Sequence, residues 1–109
     1  MARVKADVGD ELVRAICAGI GAACGIEVEA RTSRRWASVT FAGERHRLRL
    51  RLEGEGADAV ADRLLRELAE RDIPLRGHVL ADIAPVLDER DADGRRVRLG
   101  LEALTVEAA

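Results

Sequence analysis

Arg45, Arg47, Arg49 and Arg51 alternate along one stretch of chain, so a β-strand would align all four on one side. Arginine binds phosphate through paired N–H donors, and a tryptophan beside it adds a stacking plane. A hairpin turning at Gly43-Glu44 sets Trp36, Ser38 and Thr40 next to the four arginines. Between Arg31 and Glu53 lie seven arginines and two glutamates, a local charge of +5 in a chain whose total is −2. Such asymmetry attracts anions. Sheets that bind RNA use this arrangement, usually with two or three aromatic residues where this strand pair has one. The competing reading is a solvated outer face whose arginines pair with acids of the same chain or of a second subunit.

Other candidates are weaker. His46 falls on the apolar side of its strand, where a hydrogen-bonded core or rim histidine is the simpler reading. His78 and Asp82 share one side of a strand, but four residues span about 13 Å, too far for a base and its orienting carboxylate. Glu89, Asp91, Asp93 and Gly94 imitate the start of a calcium loop, yet Gly100 stands where the bidentate glutamate belongs. Cys17 and Cys24, seven apart on one expected helix, would sit about 10 Å from each other, too far for a disulfide. They read as reduced, buried thiols. No spacing calls for a metal or a cofactor, and no nucleophile–base set points to catalysis, so the expectation is a protein that is not an enzyme.

The elements that position these residues follow from periodicity. Asp10 to Cys24 reads as a helix with Leu12, Ile16 and Ile20 inward, capped by Asp7 or Asp10 and ended by Gly25. Ala15, Gly19 and Ala23 make a smooth ridge on it, suited to close packing on a sheet or to a helix–helix contact. Ile26 to Arg31 alternates weakly and is left open as a strand. Arg34–Ala42 and Arg45–Glu53 form the first hairpin, with Phe41 facing His46, Val39 facing Leu48 and Ala37 facing Leu50 on the apolar side. Trp36 then faces Arg51 on the other. Ala57 to Asp72 is a second helix burying Val60, Ala61, Leu64 and Leu68 and stopped by Ile73-Pro74. Arg76–Glu89 and Arg95–Glu107 form a second hairpin around Asp91–Gly94, with Asp88 opposite Arg98, Leu87 opposite Leu99 and Ile83 opposite Ala103. Pro85 places its strand at an edge or at a bulge.

The sum is one α+β domain over residues 1–109: two helices packed on one face of a four- or five-stranded antiparallel sheet, in the order α-(β)-β-β-α-β-β. Leu, Ile, Val and Phe make up 29 of 109 residues, enough for one aliphatic core. In the second hairpin Leu80, Val86, Leu104 and Val106 fall on the side away from Ile83, Leu87, Leu99 and Leu101. One side faces the helices and the other needs a cover, which a homodimer would supply through its sheet. The expectation is therefore a homodimeric interaction protein, with a further protein partner as an option and nucleic-acid or other polyanion binding as the alternative. Asp7, Asp10 and Glu11 interrupt any signal-peptide pattern after the basic Met1–Lys5, and no apolar run spans a membrane, so the expected place is the cytoplasm. The 17 arginines against one lysine read as a bacterial-like compositional bias.

Overall fold

The computed structural model describes residues 7–21, 24–70 and 72–108. Met1–Lys5 and Ala23, named above, lie outside them. The order is α1 (Val8–Ile20), β1 (Gly25–Ala37), β2 (Ala42–Glu53), α2 (Ala57–Ala69), β3 (His78–Arg90) and β4 (Arg96–Glu107). The chain is thus two αββ units with matching element lengths of 13, 13 and 12 residues. Their hairpins join through β2 and β4 into one antiparallel sheet, β1-β2-β4-β3. Both helices contribute to a single core against one face of it. Ile26–Arg31 belongs to β1, which settles the open strand: the sheet has four strands.

The helix ends follow local chemistry. Asp7 caps α1, its carboxylate accepting from the Asp10 N–H at 2.7 Å. The helix stops at Gly21, with φ of 68°, and not at Gly25. Gly21 takes a backbone angle that costs other residues dearly, and Gly25 is left to open β1. Arg63 of α2 donates to the carbonyls of Gly19 (3.1 Å) and Ile20 (3.2 Å), satisfying groups that α1 leaves bare. Gly19 of the expected small-residue ridge is exposed beside α2, while Leu12, Ile16 and Ile20 are the buried side chains of α1. At α2, the Asp58 N–H donates to Gly94 of the β3–β4 turn at 3.1 Å. This helix ends at Ala69, earlier than Asp72, with the Glu70 N–H capping on the carbonyls of Glu67 and Leu68.

The first hairpin does not turn at Gly43-Glu44. It turns at residues 38–41, where the Ser38 N–H donates to the Phe41 carbonyl (2.7 Å) and the Phe41 N–H donates to Ser38 Oγ (3.0 Å). Gly43 lies inside β2, between Trp36 and Val106. A Cβ there would sit 1.9 Å from the Thr105 carbonyl oxygen, so glycine is required by the closeness of β4 and not by a turn. The register shifts accordingly. Ser33, and not Phe41, is opposite His46; Arg31 is opposite Leu48; Val28 is opposite Leu50; Glu27, and not Trp36, is opposite Arg51. Val39 and Phe41 stand exposed at the turn.

The second hairpin keeps the expected register only in its middle. Asp82 to Pro85 lie opposite Leu104 to Leu101, Ile83 facing Ala103. Nearer the turn Asp88 is opposite Leu99 and Leu87 opposite Gly100. The loop holds one residue more than expected, closed by the Asp91 N–H on the Arg96 carbonyl at 3.0 Å, and a bulge between Pro85 and Leu87 absorbs the slip. A second bulge between Leu80 and Asp82 turns Leu80 inward. Leu80 is therefore core, 7% exposed, and not part of the outer surface, while Leu87 is outer. The same bulge puts His78 and Asp82 on opposite faces. Pro85 is on an edge strand beside a bulge, as its missing N–H demands.

The close approach of β2 and β4 is testable. Gly43→Ala should lower stability by about 1–3 kcal/mol, read from the urea midpoint, because main chain must move to admit one methyl group. Gly19→Ala, inside α1 with only Glu67 nearby, should instead raise it by roughly 0.5–1 kcal/mol.

Candidate functional site

The helices cover one face of the sheet, and no other described element covers the second. Register and burial together give the rows that cross the bare face from β1 to β3. The row at the residue 38–41 end is Trp36, Gly43, Val106, Val79. Next come Arg34, Arg45, Leu104, Asp82; then Thr32, Arg47, Glu102, Ala84; then Ala30, Arg49, Gly100, Leu87; then Glu27, Arg51, Arg98, Glu89. The four alternating arginines thus share the outer face with Trp36, as expected. Ser38 and Thr40 do not join them, since both lie beyond the last β1–β2 pair, in the turn. Val86, Leu104 and Val106 are outside the core, with Val86 exposed and the other two half-buried.

Three arginines on this face are held by glutamates. Arg47 meets Glu102 at 3.0 Å, Arg98 meets Glu29 at 3.0 Å, and Arg51 meets both Glu27 and Glu53. Such pairs are partly exposed and contribute little to stability each, but they neutralise Arg47 and Arg51 of the column. Arg34, Arg45 and Arg49 have no acidic partner among the described residues. The sequence reading missed Arg34 as a site residue, although its two-residue spacing from Trp36 was a usable signal. Val79 and Leu87 were also missed, because the bulges in β3 hid which way they point.

Two concavities mark the face. A groove of about 600 Å³ runs over Gly100, between Ala30, Thr32, Arg47 and Arg49 of β1–β2 and Val86, Leu87 and Glu102 of β3–β4. Gly100 forms its floor, since a Cβ there would approach Leu87 Cβ to 2.9 Å. A second hollow of about 570 Å³ is lined by Thr32, Arg34, Arg35, Trp36, Arg45 and Arg47. Neither contains a nucleophile with a base at hydrogen-bond distance. Among the described residues, no three metal-ligating side chains stand close enough to hold an ion. The Glu89–Gly94 segment is a hairpin turn, Asp93 accepting from the Arg95 N–H at 3.0 Å.

On the covered side, His46 is 4% exposed and fully engaged. Its Nδ1 lies 2.7 Å from Ser33 Oγ and its Nε2 lies 3.0 Å from Thr105 Oγ1. Thr105 Oγ1 donates to the Glu44 carbonyl at 3.3 Å, so it accepts from His46 Nε2–H, and Nδ1 accepts from Ser33. One neutral imidazole therefore ties β1, β2 and β4 together beneath the arginine rows. Burial pushes its pKa below the usual value, against the opposing pull of Glu44 and Asp7. Cys17 and Cys24 are free and half-buried, and burial raises both thiols. No described helix is long and apolar enough to cross a membrane.

The histidine yields a pH prediction. The unfolded chain takes up a proton near pH 6.5, while folded His46 resists it. Its contribution to stability is thus complete above about pH 6.5 and falls as pH drops below that value. The urea midpoint should be lower at pH 5.5 than at pH 7.5, and His46→Gln should shrink the difference. An unchanged wild-type midpoint contradicts the neutral bridge.

No protein-family model matches the chain, and no curated protein or solved structure matches it significantly.

Proposed function

We propose that the protein works by binding rather than catalysis, as a homodimer whose contact is the outer face of the sheet. One observation carries this reading. The face left bare by the helices holds Trp36, Val79, Val86, Leu87, Leu104 and Val106, apolar side chains that a solvated sheet face does not need.

A second copy is the occupant that suits the face. Four strands of 12 or 13 residues make a surface about 40 Å by about 19 Å, near the roughly 800 Å² per partner of a stable interface. A two-fold axis in the contact plane, along the strands, lays the arginine-rich β1–β2 half of one copy over the half of the other that carries Asp82, Glu89 and Glu102. The apolar rows of the two copies are then buried together. Polyanion binding along the arginine column is the second reading, favoured by the unpaired Arg34, Arg45 and Arg49. It is the weaker one, because Arg47 and Arg51 are already held by glutamates and the column has a single aromatic residue.

Light-scattering mass at low and high salt separates them. The dimer should persist at about 0.5 M salt, where charge contacts are screened and apolar burial is not. Leu104→Glu, on the outer face, should give a monomer that melts like the parent. A wild-type monomer, or a mass that rises only when single-stranded RNA is added at low salt, overturns the dimer in favour of the polyanion reading.

A further inference from the structure

The hollow beside Trp36 breaks the pattern of the face around it. Arg34 and Arg45 are direct cross-strand partners, which sets their Cβ atoms about 5 Å apart. Like charges placed so are destabilising. On the same face Arg47, Arg51 and Arg98 are each held by a glutamate; Arg34 and Arg45 stand side by side with none. The two other arginines of the hollow are already engaged, Arg35 with Glu107 at 3.3 Å and Arg47 with Glu102 at 3.0 Å. Trp36 adds a second irregularity: its Nε1 is shielded from solvent and has no acceptor among the described residues. No polar contact fixes the indole where it lies. A local rule broken without internal compensation is characteristic of a binding site.

We propose that this hollow binds the phosphate monoester of a small aromatic compound, with Arg34 and Arg45 on the phosphate and Trp36 against the ring. The charge match selects the ligand. Two uncompensated guanidinium groups present +2, and a phosphate monoester carries about −1.5 to −2 at pH 7 with oxygens for bidentate contacts. A sulfate ester of the same shape has one charge. The hollow, about 570 Å³, has the size of a small-molecule site. It includes Arg35, which lies on the other side of β1 from Arg34, so the site wraps the sheet edge and does not require the dimer.

Trp36 is the only tryptophan, so its emission reports this site alone. Phenyl phosphate should change that emission saturably. It should bind more tightly than inorganic phosphate, which lacks the ring, and than phenyl sulfate, which lacks the second charge. Affinity should fall below about pH 6 as the phosphate gains a proton. Arg34→Gln and Arg45→Gln should each weaken binding about tenfold or more, with melting temperatures close to the parent's. No response of the wild type, as when a carboxylate of a second copy already neutralises the pair, overturns the proposal. So does equal binding of phenyl sulfate, or undiminished binding by both variants. The mass measurement above is a separate readout: a dimer that gives no response to phenyl phosphate overturns this site alone, and a monomer that responds overturns the dimer alone.

Discussion

The pairing of β2 with β4 is the contact on which the rest of the molecule depends. It joins two αββ units that otherwise meet through helix packing and a few polar contacts such as Arg98–Glu29 and Arg35–Glu107. Its register decides which residues become core: Leu48 with Leu101, Leu50 with Leu99, Leu52 with Val97. By strict alternation the same register sends Arg45, Arg47, Arg49 and Arg51 to the opposite face. Gly43 allows the two strands to stay close at one end, and His46, hydrogen-bonded to Ser33 and Thr105, locks the neighbouring rows. A slip of one residue would bury the arginines and expose the leucines.

What was legible in the sequence was whatever depends on period alone. The faces of β2, the buried stripe of α2 and the α+β order all follow from apolar spacing, which needs no knowledge of partners. Pairing partners were less legible. Gly43-Glu44 carries the composition of a hairpin turn, yet Gly43 serves close strand contact. The true turn, Ser38-Val39-Thr40-Phe41, holds two β-branched residues and no glycine, and is organised by the Ser38 side chain. In β3 the bulges reverse Leu80 and Leu87 between faces, and no local signal apart from Pro85 marks them. For the outer face, the alternating arginines were visible, but their neutralisation was not. Glu102 and Glu27 reach Arg47 and Arg51 only through strand pairing.

That neutralisation changes what the face can do. An unpaired arginine column would be a track for a polymer of phosphates. A column in which Arg47 and Arg51 are matched by glutamates, flanked by valines and leucines, resembles the mixed apolar and charged surface of a protein contact. The residual charge is concentrated at one end, where Arg34 and Arg45 stand together beside Trp36. The two proposals share Trp36: a broad apolar and ion-paired area serves a second copy, and a compact cationic hollow at the sheet edge serves a phosphate.

The central claim is that copies meet through the outer face, and one distance tests it most directly. Arg49 lies at the middle of that face, beside Gly100. With Cys17 and Cys24 replaced by serine, a spin label on Arg49→Cys reports the separation between copies by electron–electron dipolar coupling. Sheets packed face to face lie about 10 Å apart, so the account predicts an inter-label distance of about 20 Å or less. A dimer whose labels lie beyond about 40 Å, as contact through the helices would place them across two domain thicknesses, contradicts it.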